Sequence, residues 1–89
     1  MAFHPDFPSV GVWDISYYDD NEKGKPVHTE RMFVTEHLGQ HKLMRNKTRY
    51  GWNYRTGEMS EFLRESRKTP WCMYTWMSII YLTGAKKVE

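Results

Sequence analysis

Between Val10 and Tyr18 the chain reads VGVWDISYY. Side chains alternate along an extended chain, so Trp13, Ile15 and Tyr17 fall on one face and Val12, Asp14 and Ser16 on the other. A face made of Trp, Ile and Tyr has to be covered, and a lone strand covers nothing. The stretch therefore commits the chain to a sheet with one face turned to a core.

That core must be built from few residues. Eighty-nine residues suffice for one domain and not for two. A domain of this size buries only about 60–65% of the surface its unfolded chain exposes. Large side chains offset the shortage. The chain has four Phe, four Trp and six Tyr, each able to bury roughly 150–250 Å², and six Met add adaptable apolar volume. Cys72 is the single cysteine, so an internal disulfide is excluded, and with it the framework of a small secreted protein. The opening MAFHPDFPSV has neither a basic region nor an apolar run, so no secretory signal is expected. The expected setting is intracellular and cytoplasmic, meaning the host cytoplasm for a viral protein.

A single domain is expected over 1–89, with an extended arm at 1–9, a core at 10–85 and a tail at 86–89. Pro5 and Pro8 oppose helix and central strand in the arm, whose Phe3 and Phe7 suit docking on this domain or on another chain. After the first strand, DDNEKGKP at 19–26 is a polar turn. Residues 27–38 hold Val27, Thr29, Phe33, Val34 and Thr35, which suits a second strand. A helix capped by Thr29 and Gly39 stays open there. His41 to Arg49 fits a third strand, with Arg45, Lys47 and Arg49 on one face.

The segment EMSEFLRESR, Glu58 to Arg67, has Met59, Phe62, Leu63 and Ser66 at the spacing of one helical stripe. Its acids come early and its arginines late, which suits a helix dipole. It is predicted to be an amphipathic helix. The last element, WCMYTWMSIIYL at 71–82, is apolar on both faces and favours a strand, although Thr69, Pro70 and Gly84 would also frame a helix. The fold class expected is α+β: a small, mainly antiparallel sheet in the order β-β-β-α-β, the helix packed on one face.

Charge is unevenly spread. Segment 1–36 has seven acids and three bases, segment 37–57 five bases and no acid, and segment 58–89 five bases and four acids. The basic middle contains RNKTRYGWNYR at 45–55, which holds four cations, three aromatic residues and no acid. Single-stranded nucleic acid is held by such a mixture, cations on phosphates and aromatic rings under bases. Lys42, Arg45, Lys47, Arg49, Trp52 and Tyr54 are the candidate contacts, with Tyr50 and Arg55 beside them. The plainer account is a solvated strand edge followed by a turn at Gly51 and Gly57.

Other chemistry has weaker support. Asp19, Asp20, Asn21 and Glu22 resemble calcium ligands, but Lys23 and Lys25 intrude and no terminal Glu follows, so a turn explains them better. His37 and His41 would share a helical face, yet Gly39 divides them and further ligands are wanting; no metal and no cofactor is expected. Cys72 lies between Trp71 and Met73, where a thiol is buried and inert. No phosphate-binding glycine loop or nucleophile elbow is present, and no catalytic residue is assigned. Residues 69–85 run seventeen positions without a charge, but Thr69, Pro70, Thr75, Ser78 and Thr83 dilute them, which favours a buried element over a membrane span.

The function expected from the sequence is non-enzymatic binding of a larger protein or assembly, as an inhibitor (one of the phage counter-defence type fits this size) or as a small accessory subunit. Trp, Tyr, Met and Arg are the residue types enriched in interfaces. The expected contacts are Arg45, Arg49, Tyr50, Trp52, Tyr54 and Arg55, with Phe3 and Phe7 as anchors of the arm. The alternative is single-stranded nucleic acid or a nucleotide bound through 42–55.

Overall fold

A computed structural model of the chain describes residues 3–45, 60–75 and 78–88. The described residues form seven strands: β1 (Gly11–Asp19), β2 (His28–His37), β3 (Gln40–Arg45), β4 (Ser60–Phe62), β5 (Arg64–Glu65), β6 (Trp71–Tyr74) and β7 (Ile79–Lys87). They form one sheet in the order β4-β3-β2-β1-β7-β6-β5, and every strand pair is antiparallel.

The two outermost strands in that order, β4 and β5, are consecutive in the chain and separated only by Leu63. Opposite edges of a flat sheet cannot be one residue apart, so the sheet curls like a barrel until its edges meet. Segment 60–65 is the seam. Its first half pairs with β3, through Lys42↔Phe62 and Met44↔Ser60, and its second half pairs with β6, through Arg64↔Cys72. The Leu63 N–H extends the first pairing by donating to the His41 carbonyl at 2.8 Å. Counted this way, each strand lies beside its sequence neighbours, and β7 returns to β1.

The inward face is the one announced by the alternation in β1. Trp13, Ile15 and Tyr17 are buried, as are Met32, Val34, Leu43, Leu63, Met73, Ile80, Leu82 and Ala85, and together they fill the interior. Among the described residues no polar or charged side chain is buried. Cross-strand register explains the selection. Ile15 lies opposite Ala85, Trp13 opposite Met32, and Val34 opposite Leu43, so large and small side chains interlock. The register between β1 and β7 shifts at Ser16/Tyr17, and this bulge bends the pair as a closing sheet requires.

The arm covers one end of the barrel. Phe3 makes a parallel bridge to Ala85, and the His4 N–H donates to the Ala85 carbonyl at 3.1 Å. Phe7 is 8% exposed and sets its ring edge-on to Trp13, with centroids 5.1 Å apart, and to Trp71 at 6.3 Å. The Trp13 indole N–H donates to the Ser9 carbonyl at 2.8 Å, which fixes where the arm enters β1. Residues 86 and 87 belong to β7, and the Val88 N–H donates to the Val12 carbonyl at 3.1 Å.

The α+β expectation is overturned, because the described residues contain no helix and the fold is an antiparallel sheet. The helix expected at Glu58 to Arg67 is replaced by β4, Leu63 and β5. Phe62 and Leu63 share a face in a helix and take opposite faces in a strand. Here Leu63 turns inward, while Phe62 lies outside with the Lys42 ammonium 5.0 Å from its ring centroid. Non-local pairing on both sides of the seam outweighs a helical stripe worth at most a few tenths of a kcal/mol per residue. The helix left open at 27–38 also gives way, to β2. Element 71–82 divides into β6 and β7, joined around residues 75–78, where the Thr75 N–H donates to the Ser78 carbonyl at 2.8 Å. No described helix is long and apolar enough to cross a membrane.

Candidate binding surface

With the apolar cluster turned inward, the outer face and the loops are the surfaces that the described residues present to other molecules. Four strands bring one row of outward side chains together: Tyr18 on β1, Tyr81 on β7, Cys72 on β6 and Arg64 on β5 are successive cross-strand neighbours. Tyr18 and Tyr81 stack with ring centroids 5.3 Å apart at 26°. The Lys68 ammonium stands 4.9 Å from the Tyr81 centroid, and the Arg64 guanidinium 5.0 Å from that of Tyr74. Such contacts contribute about 0.5–1 kcal/mol at exposed positions and hold otherwise mobile cations in place. Tyr74 remains 52% exposed, a large aromatic side chain held against solvent on a rigid strand.

Cys72 sits in the middle of this row and is nevertheless buried, under its neighbours. Burial pushes its thiol above the ordinary value, against the opposing effects of a hydrogen bond with Ser66 and the charge of Arg64. A thiol held protonated in this way is a poor nucleophile.

The acidic turn closes the barrel at the end where β1 finishes. The Asp19 carboxylate accepts from the Asn21 N–H at 2.9 Å and from the Ser78 hydroxyl. Asp20 lies 3.8 Å from the Lys25 ammonium and 3.9 Å from that of Lys68, and Glu22 lies 2.6 Å from the His28 Nε2. These carboxylates bind their own chain, as turn formers do. His37 pairs with Gln40 and His41 with Glu36, so the two imidazoles leave opposite faces of the hairpin and do not share a site. No group of three or more His, Cys, Asp and Glu among the described residues is placed to hold a metal ion.

On the other side of β1, Asp14 accepts two hydrogen bonds from Arg31, at 2.9 and 3.2 Å. The Arg31 hydrogen bond, and less strongly the charges of Arg31 and Lys86, hold the Asp14 carboxyl below its usual value despite partial burial. This pair borders a shallow depression of about 600 Å³ beside the arm, also lined by Phe3, His4, Lys86 and Lys87.

The residues singled out from the sequence meet different fates. Phe3 and Phe7 pack on the chain's own core. Lys42 lies on the outer face over Phe62, and Arg45 ends β3 opposite Met32. Lys47, Arg49, Tyr50, Trp52, Tyr54 and Arg55 lie outside the described residues. The cation-capped tyrosines were missed. Alternation within WCMY and IIYL marks Tyr74 and Tyr81 as outward, but only the register of four strands brings Tyr18 and Arg64 to them, and Lys68 reaches Tyr81 from the connection between β5 and β6.

Compared with family models, with curated proteins and with solved structures, the chain matches none.

Proposed function

We propose that the protein works by binding a larger protein or protein assembly, as an inhibitor or a small accessory subunit, and performs no covalent chemistry. One observation carries this: on the outer face of the sheet Tyr74 stands half exposed with the Arg64 guanidinium over its ring. An aromatic side chain ordered before binding loses little entropy on contact, which is what makes Tyr and Arg effective interface anchors. Val10, Val27 and Leu38 add exposed apolar side chains elsewhere on the surface. A cytoplasmic setting accords with this proposal.

The alternative partner is single-stranded nucleic acid held through Lys42, Arg45 and the basic run that follows, and it rests on composition. Two measurements on the purified, tagged chain separate the classes. Capture from cells of its source is expected to retain a stoichiometric protein after nuclease treatment. Oligonucleotide binding is expected to be weak at physiological salt. Tight binding that falls steeply with salt, and is lost in an Arg45→Ala, Trp52→Ala double variant, would instead establish the nucleic-acid class.

A further inference from the structure

The hairpin joining β2 to β3 has a two-residue loop, Leu38-Gly39, closed by the pair His37↔Gln40. Both loop residues have positive φ, +52° at Leu38 and +82° at Gly39. Positive φ at both central positions defines a type I′ turn, whose first position selects Asn, Asp or Gly. Leucine is a poor occupant. Its Cβ crowds the following carbonyl in the left-handed conformation, and it has no side-chain hydrogen bond to compensate. No packing gain offsets the strain, since Leu38 is 90% exposed, the most exposed of the large hydrophobic residues described. Such a residue weakens the free protein through its backbone conformation and gains nothing from burial in return. Strain of this kind marks positions kept for contact.

We propose that Leu38 is the anchor of a protein–protein contact, entering an apolar pocket of the partner sized for one branched aliphatic side chain. This deepens the function proposed above and rests on it. The surroundings of the tip favour a protein pocket over a lipid surface. Exposed residues beside it are Glu36, His37 and Gln40, with Glu36 3.8 Å from His41, and no Lys or Arg lies within three positions of Leu38. Lipid-inserting loops depend on flanking cations to meet anionic headgroups and on more apolar surface than one leucine supplies. A single side chain buried in a pocket strengthens a protein complex roughly ten- to a hundredfold. The tight turn holds the anchor rigidly, so little ordering is left to the moment of binding.

The test separates this anchor from the wider function. Leu38→Asn installs the residue pair the turn prefers, so its melting temperature is expected to rise by a few degrees. Its capture of the nuclease-resistant partner is expected to fall ten- to a hundredfold. Photo-leucine at position 38 is expected to cross-link to that same partner, and photo-leucine replacing Val27, an exposed residue at the opposite end of the barrel, is not. Undiminished capture by a folded Leu38→Asn variant would overturn the anchor while leaving the proposed function standing. Cross-linking to a second copy of this chain, or binding of the wild type to anionic phosphatidylserine vesicles that Leu38→Asn abolishes, would overturn the anchor by assigning Leu38 to self-association or to lipid. Absence of any nuclease-resistant protein partner would overturn both.

Discussion

Leu63 and Leu38 are the same side chain in opposite roles. Leu63 joins the two edges of the sheet, is 9% exposed, and fixes the seam through its backbone bond to His41. Leu38 tips a hairpin, touches little of its own chain, and sits in a backbone conformation that leucine disfavours. One leucine serves the fold, and the other strains it and is the contact anchor proposed above. The difference lies in register, not in local sequence. Leu63 has a strand on each side, whereas Leu38 lies beyond the last cross-strand pair of its hairpin.

Substitutions can break or sharpen this contrast. Phe7 sets the upper scale. Phe7→Ala strips the ring that covers Trp13 and Trp71 at the barrel end, and a loss of about 3–5 kcal/mol is expected in chemical denaturation. Leu63→Ala is expected to cost about 2–4 kcal/mol by the same measurement, because the cavity would open at the seam between β3 and β6. A cost below about 1 kcal/mol would mean that the edges close without that side chain.

A smaller effect belongs to the Asp14–Arg31 pair on the outer face. Its folded-state carboxyl is held below the usual value, chiefly by the Arg31 hydrogen bond. The stabilisation is therefore complete above the unfolded-state value and disappears as the pH falls through the lower folded-state one. Arg31→Ala is expected to cost about 0.2–1 kcal/mol at neutral pH, the range for exposed pairs, and the two stability curves should converge in strong acid. Parallel curves down to the most acidic pH would show that Arg31 acts by packing instead. The smallest effect is expected at the hairpin tip. Leu38→Ala should leave stability within about 0.5 kcal/mol of the wild type, since the side chain it removes is already in water. The same substitution at two leucines thus measures the contrast directly.

Much of the sheet is legible in the sequence. The alternation of Trp13, Ile15 and Tyr17 gives β1 and its buried face, and DDNEKGKP gives the turn after it. Val27 to Leu38 reads as a strand more readily than as a helix, and Gly39 marks its end. The seam is not legible. Met59, Phe62, Leu63 and Ser66 fit a helical stripe as well as any segment in the chain, and nothing local shows that 60–65 has partners on both sides, in β3 before it and β6 after it. Long-range pairing decided that element. The surface follows the same division. Composition directs attention to 42–55, whereas the cation-capped tyrosines are assembled from four strands and are invisible before the register is known. Leu38-Gly39 did leave a signal: a Leu-Gly pair between two strand-like segments, where a two-residue turn ordinarily takes Asn-Gly.

The central claim is that this barrel acts by presenting its outer surface to another protein. Native mass spectrometry of the chain isolated from its source cells, after nuclease treatment, tests it most directly. A complex of fixed stoichiometry between the chain and one other protein is the expected result. A free single chain, or a mass accounted for by bound nucleotides alone, would contradict it.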